Sequence, residues 1–297
     1  MQSTSNIDWA AAASQKLKDY GLLVKFKLNL TVVFSAVVAY LVALRGELSW
    51  SLLLILSLGG FFVTAAANAL NEVLERDYDK LMKRTADRPI AAGRMSVSEA
   101  VLAAGLMSLV GISLLAWFNP MTAFLGTFSL ISYAFVYTPM KRVSPIAVLI
   151  GAIPGALPTA IGCVAAQGTI TPLAIALFGV QFFWQFPHFW AIAWLGHEDY
   201  TKAGFNLLPS RGGRLDSSVG FQAFLYSLPL FPLGYMPYAF ERTGLVSVIV
   251  VMSVTVIFSY FAFVFYKKSD RESARKLMFA SFFYLPIVLV TLLIDKI

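Results

Sequence analysis

A helix that crosses a bilayer needs about 20 consecutive, mostly apolar residues, because hydrocarbon tolerates only backbone that satisfies its own polar groups. This 297-residue chain carries nine such runs, at roughly 28–44, 52–70, 97–118, 121–138, 146–166, 172–195, 219–240, 245–266 and 277–294. They predict an all-α polytopic membrane protein with nine transmembrane helices. Only 13% of the residues are charged and 58% are hydrophobic, against about 25% charged in a soluble domain. The 25 Phe and single Cys exclude a disordered chain and a disulfide scaffold. Asn119–Pro120, Gln167–Gly168 and residues 242–244 mark short turns between runs. Three longer polar stretches fall near 71–96, 196–218 and 267–276, and no second soluble domain is visible. The expected organisation is a cytoplasmic N-terminal segment, 1–27, and one intramembrane domain, 28–297, with cap loops at 71–96 and 196–218.

Lysine and arginine collect in loops that stay in the cytoplasm. With the N-terminus inside and nine crossings, 20 of the 23 Lys+Arg fall on the inner side, leaving Arg45, Arg242 and Lys296 outside. The same side takes 13 of the 16 acids, all but Glu47, Glu241 and Asp295. A net charge of +7 suggests nucleic acid in a soluble protein; sorted by loop, it becomes an orientation marker, N-in and C-out, with no nucleic-acid partner expected. Residues 1–27, which include Asp8, Gln15 and Asp19, lack the apolar core of a secretory signal and are too acidic for a transit peptide. A multi-pass protein of a bacterial inner (cytoplasmic) membrane is expected, with the lipid bilayer as its solvent.

The second apolar run passes directly into polar sequence. At about 100° per residue, Asn68, Asn71, Glu72, Glu75 and Asp79 share one helical face, while Asp77 points away. Each ionised group placed inside a bilayer costs about 2.5–3.5 kcal/mol on insertion scales, so three carboxylates and two amides on a buried face call for a purpose. Carboxylates spaced three and four residues apart suit Mg²⁺, which takes one or two carboxylates and fills its remaining positions with water or substrate phosphate. Lys83, Arg84 and Arg88 follow within three turns and are placed to grip the same phosphates. A solvated helix end with self-paired charges is the plainer alternative, and it suffices for Asp77 and Lys80.

Both histidines lie in the second stretch. If Pro187 kinks the helix without changing its register, Gln181, Trp184, His188 and Asp199 lie near one face. His188 is either a hydrogen-bonded packing residue or a ligand, and His197, beside Glu198, reads as solvated. Asp199 is a candidate second Mg²⁺ carboxylate opposite the first cluster. The run from Gly151 to Pro158 either permits close helix packing or breaks a helix around a cavity. Lys141 and Arg142, following Tyr137, stand on the acid-bearing side as anchors or as phosphate grips. Cys163 reads as core packing.

Asn71-Glu72-x-x-Glu75-x-x-x-Asp79, followed by Arg84-Thr85-x-x-Arg88-Pro89, resembles the first acidic motif of the UbiA superfamily of intramembrane prenyltransferases. Quinone-type members carry an acid-rich repeat in the second stretch. This chain instead has Trp184-Gln185-Phe-Pro187-His188-Phe and then Asp199-Tyr200-x-x-Ala203-Gly204-x-x-x-Leu208-Pro209, similar to the heme-modifying branch. It departs from that branch at Glu72, usually Asn, and at Glu75, usually Asp; Glu75 keeps the charge and moves it outward by one methylene. The resemblance implies nine helices around a central cavity, with Asn71, Glu72, Glu75, Asp79 and Asp199 binding Mg²⁺. It implies Asn71, Glu75, Asp79, Arg84, Arg88 and His188 as catalytic residues, and Asn68, Lys83, Tyr137, Lys141, Arg142, Trp184 and Gln185 as substrate contacts. The implied substrates are farnesyl diphosphate and heme B, joined with addition of water to give heme O and diphosphate. Faces such as Phe182, Phe183, Trp184 and Phe186 would shelter the allylic cation, and His188 would position heme. A heme A synthase or a terminal oxidase assembly step would take the product; the alternative acceptor is an aromatic quinone precursor.

Overall fold

The computed structural model describes residues 9–211 and 214–297, with the backbone alone at 9, 210, 211 and 214. Residues 1–8 of the expected N-terminal segment lie outside the described residues. The chain begins with α1 (Trp9–Leu23), α2 (Phe26–Ala43) and α3 (Trp50–Asp79), followed by α4 (Val97–Ala116) and α5 (Pro120–Ile131). A π-helical turn, Ser132–Tyr137, carries α5 into the short α6 (Thr138–Met140). Then come α7 (Ala147–Gln167), α8 (Pro172–Leu195) and α9 (His197–Lys202). A two-residue antiparallel ladder pairs β1 (Ser210–Arg211) with β2 (Arg214–Leu215). The chain finishes with α10 (Ser218–Ser227), α11 (Leu230–Ala239), α12 (Leu245–Lys268) and α13 (Arg271–Ile294).

Local chemistry sets these boundaries. Ser49, Ser96, Asn119, Thr171 and Asp270 each accept a backbone N–H from the first turn of the helix that follows. Pro120 and Pro172 occupy first-turn positions where their missing N–H costs nothing. α7 stops at Gly168, whose φ of +78° favours glycine.

Seven helices, α2, α3, α4, α5 with its extension to Met140, α7, α12 and α13, have the length and composition to cross a membrane. The predicted runs are therefore only partly recovered as continuous apolar helices. α8 has 24 residues, but Gln181, Gln185 and His188 dilute its apolar character. The run at 219–240 is divided at Leu228–Pro229, because Pro229 has no N–H to continue α10 and its ring clashes with the preceding turn. The loop predicted from residue 71 begins later, since α3 continues through the acidic residues to Asp79.

Most helices pack on chain neighbours, α2 on α3, α3 on α4, α4 on α5, α5 on α7, α7 on α8, α8 on α10 and α11, these on α12, and α12 on α13, while α2 also packs extensively on α7. α13 returns to α2 and α8, so α2 and α7 join the first and second halves of the bundle. The largest core joins α2, α7, α8, α12 and α13. Outward, Leu102, Leu106 and Leu109 of α4 and Ile249 and Val256 of α12 are more than half exposed, as a lipid-facing surface requires. α1 docks beside the acid-bearing end: Lys16 and Tyr20 hold Glu99 at 2.7 and 2.8 Å, and Arg94 holds Asp19 at 2.9 Å.

Candidate active site

The last turns of α3 carry the acidic face inward. Asn68, Asn71, Glu72, Glu75 and Asp79 are all buried, whereas the Asp77 side chain is 64% exposed and pairs with Lys80 at 3.2 Å. The helical rotation thus placed every member on its side. Three cations from three separate segments close around the acids. Arg88 Nη1 donates to Asp79 Oδ2 at 2.7 Å, and the same guanidinium lies 3.6 Å from Glu72 Oε1 and 3.9 Å from Glu75 Oε2. Lys141 Nζ donates to Glu75 Oε1 at 2.9 Å and sits 4.6 Å from the Tyr137 ring centroid. Lys25 Nζ donates to Asn71 Oδ1 at 3.0 Å.

Lys25 is the residue that sequence reasoning missed. It occupies the joint between α1 and α2 at φ +48°, a left-handed conformation unusual for a side-chain-bearing residue. Asn68 Nδ2 donates to the neighbouring Val24 carbonyl at 3.3 Å, so α3's two amides hold that joint in place. As one of several cations before the first apolar run, Lys25 carried no distinguishing signal. Burial, with Arg88 and Lys141 nearby, pushes its ammonium down to about 7 against the pull of Glu72 and Glu75. Burial also opposes the Arg88 charge, but Asp79, Glu72 and Glu75 outweigh it and hold the guanidinium above its ordinary value.

Asn71 Nδ2 donates to Thr138 Oγ1 at 3.1 Å, and Thr138 Oγ1 donates to the Tyr133 carbonyl at 2.9 Å. This contact lies at the π-helical turn, an irregularity frequent at functional sites. The turn aims Tyr137 at α7, where a Cβ on Gly151 would meet the Tyr137 ring at 2.6 Å. Glycine at 151 therefore makes room for the ring.

Both Glu72 carboxylate oxygens and Asp79 Oδ1 are buried without a hydrogen-bond partner. Unmatched, inward-facing carboxylate oxygens beside an amide are a donor set that fits a hard divalent cation. Among the described residues no three His, Cys, Asp or Glu side chains gather closely enough to hold a metal by themselves, so an ion here would take its remaining ligands from water or a bound phosphate.

The second stretch divides between two neighbours. Gln181 Nε2 donates to the Gly155 carbonyl at 2.9 Å, and Gln185 Nε2 donates to the Ala152 carbonyl at 3.2 Å, both on α7. A Cβ on Gly155 would lie 2.1 Å from Gln185 Oε1. The run from Gly151 to Pro158 is thus a packing surface inside a continuous helix. Trp184 and His188 turn instead to Ser281 on α13, the indole N–H reaching its carbonyl at 2.9 Å and His188 Nδ1 lying 2.7 Å from its Oγ. Phe183 and Phe186 pack on Tyr226 of α10, centroids 6.0 and 4.5 Å away, and Phe182 stacks on Phe178. These three rings serve packing, while Tyr133 and Tyr137 lie 5.3 Å apart, with Lys141 over the Tyr137 ring.

The segment after α3 and the segment after α8 meet beside the acid-bearing end of α3. Met82, Ala203 and Phe205 form a buried cluster, and the Asn206 N–H donates to the Lys141 carbonyl at 2.8 Å. Arg142 donates to the Tyr78 hydroxyl at 2.6 Å, and Arg84 lies 5.9 Å from the Tyr200 centroid. Both guanidiniums are exposed and rest on aromatic partners, with no carboxylate partner among the described residues. Lys83 is exposed. Asp199 is half-buried in the first turn of α9 and makes no ion pair among the described residues.

The UbiA prenyltransferase family model matches residues 32–285. A protoheme IX farnesyltransferase of Cytophaga hutchinsonii is 42% identical over 285 residues, covering 96% of this chain and 99% of that protein. The enzyme of the same name from Flavobacterium psychrophilum is 40% identical, covering 94% of each. Among solved structures, that of digeranylgeranylglyceryl phosphate synthase superposes with a TM-score of 0.80 at 20% identity, covering 95% of this chain and 98% of the other. A UbiA homolog from Archaeoglobus fulgidus bound to GPP and Mg²⁺ gives 0.68 at 17% identity, covering 92% and 99%. These two share the fold. A packed helical bundle, a buried acidic face at one end and relatives matched over nearly the whole chain lead to one conclusion: this chain belongs to the UbiA prenyltransferase family.

Proposed function

We propose that this protein transfers the farnesyl group of farnesyl diphosphate to a vinyl carbon of heme B, with addition of water, giving heme O and diphosphate. The observation that carries the reading is the buried α3 face, whose unmatched carboxylate oxygens lie among Lys25, Arg88 and Lys141. This is a place for a cation and an anion together. The heme acceptor rests on the names of the full-length relatives and on Trp184-Gln185-Phe-Pro187-His188 standing where an acid repeat would mark a quinone-type enzyme.

Asn71, Glu72, Glu75 and Asp79, with Asp199 from the second cap loop, are the residues that would hold Mg²⁺. When bound, it neutralises diphosphate oxygens and improves the leaving group. Lys25, Arg88 and Lys141 take the charge of the departing diphosphate, since each already faces the space beside the acids. Arg84, Lys83 and Arg142 guide the diphosphate from the cap. The Tyr133 and Tyr137 faces shelter the allylic cation from water. The vinyl carbon of heme captures that cation, and water closes the resulting carbocation with loss of a proton.

The crossing count follows if α8 and the broken pair α10–α11 are added to the seven apolar helices, which gives nine. With 20 of the 23 cations on the acid-bearing side, that side faces the cytoplasm of an inner membrane, and the product passes to heme A synthase or to terminal oxidase assembly. The test is incubation of the purified protein with heme B, farnesyl diphosphate and Mg²⁺. A porphyrin product heavier by one hydroxyfarnesyl unit is expected, and Asn71→Ala and Asp79→Ala should abolish it while inserting normally. Prenylation of an aromatic acid with no change in heme would overturn the reading.

A further inference from the structure

His188 is governed by a single hydroxyl. Its Nδ1 lies 2.7 Å from Ser281 Oγ. Ser281 Oγ also contacts the Met278 carbonyl in the preceding turn of α13; a carbonyl can only accept, so this contact is favourable when the one hydroxyl hydrogen lies between them and the oxygen meets the imidazole with a lone pair. The imidazole must then donate from Nδ1–H. A neutral ring protonated at Nδ1 carries its free lone pair on Nε2. Nε2 makes no hydrogen bond to a described residue, and it is not sealed in: His188 keeps 8% of its surface open.

The ring plane is set by the same residue. Trp184 stacks on His188 with centroids 4.9 Å apart and planes 18° from parallel. The indole N–H is tied to the Ser281 carbonyl at 2.9 Å. Phe189 and Phe282 meet the imidazole edge-on at 5.2 and 5.4 Å. Ser281 itself is fully buried. Ordinary polar glue between membrane helices needs only a donor and an acceptor. It does not require an aromatic cage that leaves the second nitrogen open.

We propose that Ser281 is a positioning residue, which commits the His188 proton to Nδ1 and presents an unprotonated Nε2 to ligate the iron of an iron porphyrin. This rests on heme B being the acceptor. A coordinate bond forms from the Nε2 lone pair to iron, and no proton or electron is transferred. Removing the partner that orients a histidine ligand typically costs about 10–100-fold in affinity for the metal.

The test titrates wild type, Ser281→Ala, Ser281→Thr and His188→Ala proteins with heme B and, separately, with metal-free protoporphyrin IX, following the Soret band. Wild type and Ser281→Thr should give the spectrum of imidazole-ligated heme. Ser281→Ala should bind heme about 10–100-fold more weakly, and His188→Ala should lose the imidazole-ligated spectrum. All four should bind the metal-free porphyrin alike. Ser281→Cys, with a side chain of similar size but a poor acceptor, should shift in the same direction as alanine. Wild-type heme affinity in Ser281→Ala overturns the proposal, as does an unchanged heme spectrum in His188→Ala or an equal loss for both porphyrins. A wild-type protein that binds neither porphyrin overturns the acceptor assignment instead.

Discussion

Arg88→Met keeps an unbranched stem and removes the charge that three carboxylates share. The guanidinium lies 2.7 Å from Asp79, 3.6 Å from Glu72 and 3.9 Å from Glu75. At an effective dielectric constant of about 20, a pair of unit charges at such distances interacts by roughly 4–6 kcal/mol before desolvation is counted. The Arg88 side chain is 13% exposed and those of Asp79 and Glu72 are 1% exposed, so water screens little of what remains. Lys25 and Lys141 would be left facing three acids. Breaking a buried pair of this kind costs about 3–5 kcal/mol, and that loss is expected for Arg88→Met. The assay is the folded fraction that survives heating in detergent, followed by size-exclusion chromatography in the presence of a chelator. Adding Mg²⁺ should recover part of the loss, since a ligand at a hundred times its Kd stabilises by about 2.7 kcal/mol. The gain should exceed that of wild type, in which Arg88 competes for the same oxygens. Asp79→Asn combined with Arg88→Met should lose less than the sum of the two single changes. A loss below about 1 kcal/mol, or full additivity in the double variant, would refute the shared-charge account.

Two further expectations concern the frame around the site. A Cβ on Gly162 would lie 2.0 Å from the Ala36 carbonyl oxygen and 2.8 Å from the Tyr40 nitrogen, so Gly162→Ala must push α2 away from α7 and lose at least the 1–3 kcal/mol typical of overpacking, about as much as a core can absorb; Gly105→Ala, which meets nothing within 4 Å, is the control, and equal thermal survival of the two would be the adverse result. For Lys25, the folded value of about 7 lies below the ordinary 10.5. The folded state therefore binds fewer protons between those limits, and metal-free stability should rise with pH across that window by at most about 1.4 kcal/mol per unit. Lys25→Met should flatten that rise, and identical pH slopes for the two proteins would count against the burial of the ammonium.

The acidic face was legible because a helix converts spacing into direction with no help from the rest of the fold. Residues 68, 71, 72, 75 and 79 are three or four apart or adjacent, and all five are buried while Asp77 is not. The same arithmetic reached its limit on α8. It grouped Gln181, Trp184 and His188, yet the glutamine reaches α7 while the indole and imidazole reach α13. Rotation about one axis cannot say which of two flanking helices receives a side chain. The π-helical turn was equally hidden, because the extra residue it accommodates leaves the apolar run at 121–138 intact.

The cations show the deeper reason why a site is only half visible in sequence. Positive charge on the acid-bearing side is abundant, so abundance could not select Lys25, Arg88 and Lys141. Geometry selects them. Each reaches the acid-bearing face from a joint, a loop or the end of α6, positions fixed by how the helices pack and not by the spacing of residues along one helix. The outcome is three buried acids facing three basic side chains that offset much of their charge, although Glu72 and Asp79 keep unmatched oxygens. In the proposed reaction, an incoming diphosphate with its divalent ion would exchange partners with that set, anion to the lysines and arginine, cation to the carboxylates. Charge compensation before binding and partner exchange on binding would impose the same requirement on these six side chains. Acids alone at this depth would be too costly to bury, and cations alone would leave no place for the metal.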